Sequence, residues 1–141
     1  QEVYADVAHG NIDGVELLQF GVYREIGLED WYNMLNAGFR VPATGACDYP
    51  ACRKLGDCIT YVWGDEPLGM ESWLRGMAQG RSFFTTGPLL LLEVDGQRPG
   101  EQIDKSGAGP HVVTARVRVR CEVAPVTHVE VIANGRVARR M

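Results

Sequence analysis

Hydrophobic positions follow two different periods along this chain, and the switch comes past its middle. "DGVELLQF" (Asp13 to Phe20) is a short apolar run opened by a turn pair, which predicts a buried strand. Leu28, Trp31, Tyr32 and Leu35 then fall at helical spacing, with Gly38 as the C-terminal stop. "VPATGAC" is small and β-compatible, and "CITYVW" (Cys58 to Trp63) predicts a strand. Met70, Trp73, Leu74 and Met77 mark a second amphipathic helix that ends at Gly80. Both helices are expected to cover a sheet.

Beyond Gly80 only the two-residue period of strands remains. "RSFFTT" is followed by "PLLLLEV", which Asp95-Gly96 closes as a turn. Residues 111–123 alternate for their whole length. Val113, Ala115, Val117, Val119 and Cys121 are expected to face a core, and Arg116, Arg118 and Arg120 to face solvent. Asn134-Gly135 is the strongest hairpin signal, but the chain stops six residues later, so its last strand is expected to be an edge without a neighbour. The pattern predicts an α+β protein. An α/β segment over 1–86 carries at least two helices on a small sheet, and a β-rich, sandwich-like segment follows over 87–141. The boundary falls at Thr86-Gly87-Pro88, and no internal repeat is present.

Composition narrows the partners. At 141 residues, with 45% hydrophobic and 23% charged, the chain has room for one packed domain, and no apolar run approaches membrane-spanning length. A net charge of -4 disfavours neutralising nucleic-acid phosphates. Small molecules or proteins are therefore expected as partners, with neither nucleic acid nor membrane. The opening at Gln1 shows no basic and apolar leader pattern, as a processed or cut start would, and points to no compartment.

Few residues carry a chemical signal. In "VPATGACDYPAC", Asp48 follows a β-compatible stretch, and a carboxylate just past a parallel strand's C-terminal end is where α/β sheets place catalytic groups. The competing reading is a turn-former that hydrogen-bonds its own loop ahead of Pro50. Cys47, Cys52 and Cys58 match no common zinc spacing, and Cys121 lies in the apolar row of its strand. On a strand, Cys47 and Asp48 would point to opposite faces. His9, His111 and His128 are scattered, and each reads as a surface or capping residue. The Arg row reads as a solvated outer face that deters edge pairing. Neither a phosphate-binding glycine loop, a H-E-x-x-H pair nor a G-x-S-x-G elbow occurs.

Several stretches together resemble a known family. "WYNMLNAGFRVPATGACDYP", "CITYVW", "ESWLRGMAQGRSFFTTGPLLLLEVDGQRPGEQI" and "VEVIANGRV" resemble, in this order, the C-terminal part of metallohydrolases of the CehA/McbA type. These belong to the polymerase-and-histidinol-phosphatase (PHP) superfamily. The match runs from about Asp13 onward, and "GRSFFTTGPLL" is its most specific piece. The resemblance implies the last part of a distorted β/α barrel. It also implies a divalent metal cofactor (zinc, manganese or iron) held by His, Asp and Glu in the intact enzyme, which hydrolyses an ester, phosphoester or amide-like bond.

Within that resemblance Asp48 matches a late metal-ligand aspartate, and Glu16 is a supporting residue rather than a ligand. Pro50 stands where many relatives carry a histidine, Cys47 replaces a Ser or Thr, and the early His-x-His motif is not found. A hydrolytic centre needs about three protein ligands plus an open position for water, so the chain alone is expected to lack activity. Two further readings accompany this one: a non-catalytic binding or oligomerisation domain that kept the scaffold, and a structural zinc domain built on the cysteines. A severed barrel exposes strand edges, so a homo-oligomer is expected, with exchanged terminal strands as one route.

Overall fold

The computed structural model describes residues 2–20, 22–23, 27–64 and 67–141. It is an α+β arrangement. The elements run α1 (Glu2–His9), β1 (Val15–Gln19), β2 (Val22–Tyr23), α2 (Leu28–Asn36), β3 (Ala43–Gly45), β4 (Ile59–Val62), α3 (Met70–Ala78), β5 (Ser82–Thr85), β6 (Leu89–Val94), β7 (Ala115–Arg120), β8 (Glu130–Ala133) and β9 (Arg136–Arg140). Helices α2 and α3, and the change to strands only after α3, follow the predicted periods. The first helix was not foreseen, because eight residues with one buried position, Val7, leave little periodic signal.

β1 is the centre of the first sheet. It pairs antiparallel with β2 and parallel with β3, and α2 is the crossover between the two parallel strands. Such a strand is covered on both faces, which accounts for the successive buried Leu17 and Leu18, while Glu16 is exposed. On one side Val15 packs with Val7, Met34 and Val41, and on the other Leu18 packs with Cys47, Cys58 and Phe84. The spacing of α2 suggested Leu28, Trp31, Tyr32 and Leu35 as its inner face. Met34, 2% exposed, is the residue driven into the core, while Leu35 is 38% exposed. The helix is rotated toward Val7 and Val41, partners its own sequence does not reveal. Trp31 follows the rotation, and its indole N–H donates to the Val41 carbonyl at 2.8 Å.

α3 shows a similar displacement. Gly76 is its buried position, because a Cβ there would lie 2.4 Å from Val62 Cγ1 and 3.0 Å from the Trp63 carbonyl oxygen. Absence of a side chain lets α3 close onto β4. Met70 and Leu74, expected on the inner stripe, are exposed. β4 pairs antiparallel with β5, where Tyr61 and Phe83 stack with centroids 5.1 Å apart.

The remaining strands form two separate antiparallel pairs, β6 with β7 and β8 with β9, and no barrel closes among the described residues. The alternating stretch is a strand only from Ala115 to Arg120. Val113 is 51% exposed and Val119 38%, so the expected core row is half open. A two-stranded sheet offers those side chains little to pack against. The last strand does have a neighbour, contrary to expectation: β9 runs against β8, and Val129 and Met141 exchange both backbone hydrogen bonds at 2.9 Å.

Asn134 (φ 52°) and Gly135 (φ 73°) make the tight turn of this hairpin, the conformation that favours Asn-Gly. A Cβ on Gly135 would lie 3.1 Å from Tyr32 Cβ, so the turn rests directly on α2. Burial pushes the Tyr32 hydroxyl up from its ordinary value. Gly135→Ala combines left-handed strain with that crowding and is expected to cost about 1–2 kcal/mol. Denaturant titration checks the cost, and faster amide exchange at Val131 and Val137 would locate it.

Asp95-Gly96 also forms a tight turn, with Val94 and Gln97 bonded both ways at 2.9 Å. The partner of β6 arrives only after a long excursion, which Asp95 pins at its return. Its carboxylate accepts from Lys105 Nζ and from the Thr114 amide, both at 2.7 Å. The Lys105 bond first, then the Thr114 amide, hold the Asp95 carboxyl below its ordinary range. A lowered carboxyl pKa gives stability that is present above the unfolded value, about 3.9, and is lost as pH falls through the lower folded value. Acidification below about pH 4 is therefore expected to release the Lys105 and Thr114 contacts. The Thr114 amide resonance followed through an acid titration checks this.

Candidate functional site

Asp48 lies three residues beyond β3, on the C-terminal side of the parallel β1 and β3 pair. The Ala46 amide still donates to the Leu18 carbonyl at 3.0 Å, which carries the pairing to the edge of the Asp48 loop. Cys47 is buried and Asp48 exposed, but both lie beyond the end of β3, so strand alternation is not what separates them. Asp48 has φ 53°, a left-handed conformation that Asp tolerates better than most residues. Its carbonyl accepts the Cys52 amide at 2.9 Å, closing a turn around the cis Tyr49-Pro50 peptide. The carboxylate itself faces outward, and its Oδ2 accepts from the Cys52 thiol at 3.0 Å. Asp48 thus shapes the turn with its backbone and leaves its side chain available.

Beneath this loop lies a sulfur-rich layer. Cys47 and Cys58 are buried beside Leu18 and Phe84, and all four cysteines are free thiols. Burial pushes the Cys58 thiol up, and Cys47 and Glu16 add to the effect. A thiol held protonated is a poor nucleophile and a poor ligand at neutral pH. Thr60 ties the layer to β3, because its hydroxyl donates to the Gly45 carbonyl at 3.1 Å and accepts the Gly45 amide at 3.2 Å. Glu16 is exposed on β1, opposite Thr44.

The stretch most specific to the resemblance, Gly80 to Leu90, forms β5, a turn and the start of β6. Thr85 braces the turn: its hydroxyl accepts the Gly87 amide at 3.0 Å and donates to the Pro88 carbonyl at 2.6 Å. The three histidines are exposed. His9 ends α1, a ring nitrogen of His111 bonds the Gly107 carbonyl at 3.2 Å, and His128 bonds Thr127 at 3.1 Å. The Arg row is exposed, and Glu93 reaches both Arg116 and Arg118, at 3.6 Å and 4.0 Å. Pairs this exposed contribute little to stability.

Among the described residues no group of three or more His, Cys, Asp and Glu side chains is placed to hold a metal ion. The donors near Asp48 therefore do not make a metal centre by themselves. No described helix is long and apolar enough to cross a membrane.

Two clefts, unlike Asp48, had no sequence signal. The larger, about 870 Å³, opens at the N-terminal entry to β3 between α2, the end of α3, β5 and the loop at Pro99–Gln102. The smaller, about 460 Å³, separates α2 from the two C-terminal hairpins. Both gather residues distant in sequence, so spacing could not reveal them. Set beside models of protein families, curated proteins and solved structures, the chain matches none of them.

Proposed function

We propose that this chain is the C-terminal part of a metal-dependent hydrolase of the PHP type, and that Asp48 is one ligand of a centre completed by residues outside this chain. The observation that supports the reading is the β1, α2, β3 unit with Asp48 just past its C-terminal end. Catalytic groups gather at that end in β/α barrels because the strand ends converge there. The first sheet then belongs to a distorted barrel that this chain only begins to form, and the two C-terminal hairpins are parts of a β-rich, sandwich-like addition. The metal would supply an activated water and polarise an ester, phosphoester or amide-like bond.

Two measurements test the reading. A coding sequence ahead of Gln1 must contain a His-x-His motif, and its absence would end the proposal. The protein that includes that segment should hydrolyse a member of an ester, phosphoester and amide panel with zinc, manganese or iron, and lose this on chelation. Persistence of hydrolysis in excess chelator would count against it.

Association is the second element. Val112, Leu55, Leu68 and Met70 are exposed, and β7 and β9 each pair with one strand only among the described residues. Open edges and apolar side chains of this kind favour self-association. Sedimentation is expected to show a dimer or higher oligomer, and a monodisperse monomer would contradict it. A non-catalytic binding domain would share that behaviour but show no metal-dependent hydrolysis in the longer protein.

A further inference from the structure

We propose that the larger cleft is a binding site for a small organic monocarboxylate with an apolar body, separate from any chemistry at Asp48. The cleft has a volume of about 870 Å³, within the range of small-molecule sites, and Trp31, Leu35, Val41 and Phe83 are among the residues that line it. Among the described residues three charged side chains line it: Arg40, Arg81 and Glu101. Glu101 lies 3.5 Å from Arg81 Nη2 and offsets one positive charge. Arg40 is different. Its guanidinium donates to the Gln102 side-chain carbonyl, whose amide group donates in turn to the Asp104 carboxylate at 2.6 Å, and among the described residues no carboxylate bonds Arg40 directly.

One guanidinium with no carboxylate bonded to it directly, at the lip of an aromatic and aliphatic cleft, selects a ligand with one negative charge and a hydrophobic remainder. Arg offers a planar fork of donors that fits a carboxylate with two parallel bonds, which a neutral amide cannot match. The incoming carboxylate would displace the Gln102 side chain from Arg40. The loop that carries Glu101 and Gln102 is fixed close by, because a Cβ on Gly100 would lie 2.4 Å from the Gln79 carbonyl oxygen. The wall is thus formed before the ligand arrives, which lowers the ordering cost of binding. The cleft opens where β3 begins and Asp48 lies past where it ends, so the two sites are at opposite ends of one strand.

The test is isothermal titration of the 141-residue chain, without metal, using 2-naphthoate and its neutral analogue 2-naphthamide. Saturable binding of the carboxylate, at least about tenfold tighter than the amide, is expected, since a charge-assisted hydrogen bond is worth that much. Arg40→Met should remove the preference. Asp48→Asn should leave both affinities unchanged, which keeps this result independent of the hydrolase reading. Equal affinity for naphthoate and naphthamide, an Arg40→Met variant that still prefers the acid, or no saturation at millimolar concentration would each overturn the proposal.

Discussion

Under the proposed hydrolase function, Asp48→Asn is expected to lower kcat/KM of the protein that carries the remaining ligands by on the order of 100-fold or more, while shifting the stability of this chain by less than about 0.5 kcal/mol. The catalytic figure follows from what metal sites tolerate: loss of a residue that merely orients a ligand costs about 10- to 100-fold, and loss of the ligand's charge should cost at least as much. The stability figure follows from the geometry. Asparagine keeps an oxygen for the Cys52 thiol, tolerates the left-handed backbone at φ 53°, and stays at an exposed position. Asp48→Ala separates the two roles of the residue. It removes charge and turn preference together, and should lose about 1 kcal/mol that the Asn variant retains. Steady-state kinetics on the longer protein and thermal melts on this chain give the comparison. An Asn variant with full activity would remove Asp48 from the centre.

Gly45→Ala should destabilise the fold by about 1–3 kcal/mol, the range for forcing atoms into a packed interior. The added Cβ would stand 2.7 Å from Cys58 Sγ, 3.0 Å from Leu18 Cβ and 3.1 Å from Phe84 Cβ. None of the three is the loose end of a flexible chain, and Leu18, Cys58 and Phe84 pack in one core cluster. The buried set is small, so strain there meets little reserve. Removing Cys58 Sγ clears the tightest contact and leaves the other two. Gly45→Ala with Cys58→Ala should accordingly cost less than the sum of the single changes, by about 0.5 kcal/mol or more. Denaturant melts of the four proteins measure that coupling, and strict additivity would place the strain elsewhere.

Where local chemistry decides conformation, the sequence was informative. Asn134-Gly135 and Asp95-Gly96 make tight turns because few residues accept positive φ, and α2 and α3 begin near Leu28 and Met70 because the apolar period changes there. What depended on distant partners was misjudged. Met34 rather than Leu35 entered the core because Val7 and Val41 meet that side of α2. Val113 and Val119 stayed half open because β7 gained one neighbour, not a second sheet. The position of Asp48 relative to β3 was legible from seven residues. Its thiol partner was nearby but not indicated by spacing, since Cys52 reaches back through a turn that Pro50 only hints at. Arg40 and Glu101 line one cleft from segments distant in sequence, and no pattern along the chain connects them.

The meeting of Gly100 with the end of α3 bears on how such a protein could be rearranged by recombination. Built Cβ positions put Gly80 3.6 Å from the Gly100 Cα, and Gly100 against Gln79 and Arg81 backbone, so main chain meets main chain with no side chain between. Side chains at an ordinary seam can be exchanged piecemeal, each loss absorbed by its neighbours. Two bare backbones allow no such gradual drift. A crossover between Thr86 and Pro88 would bring in a foreign loop, and any residue other than glycine at its tip would collide with the carbonyl at the end of α3. The segments on either side of that junction are thus expected to travel through evolution as a pair, inherited together or not at all.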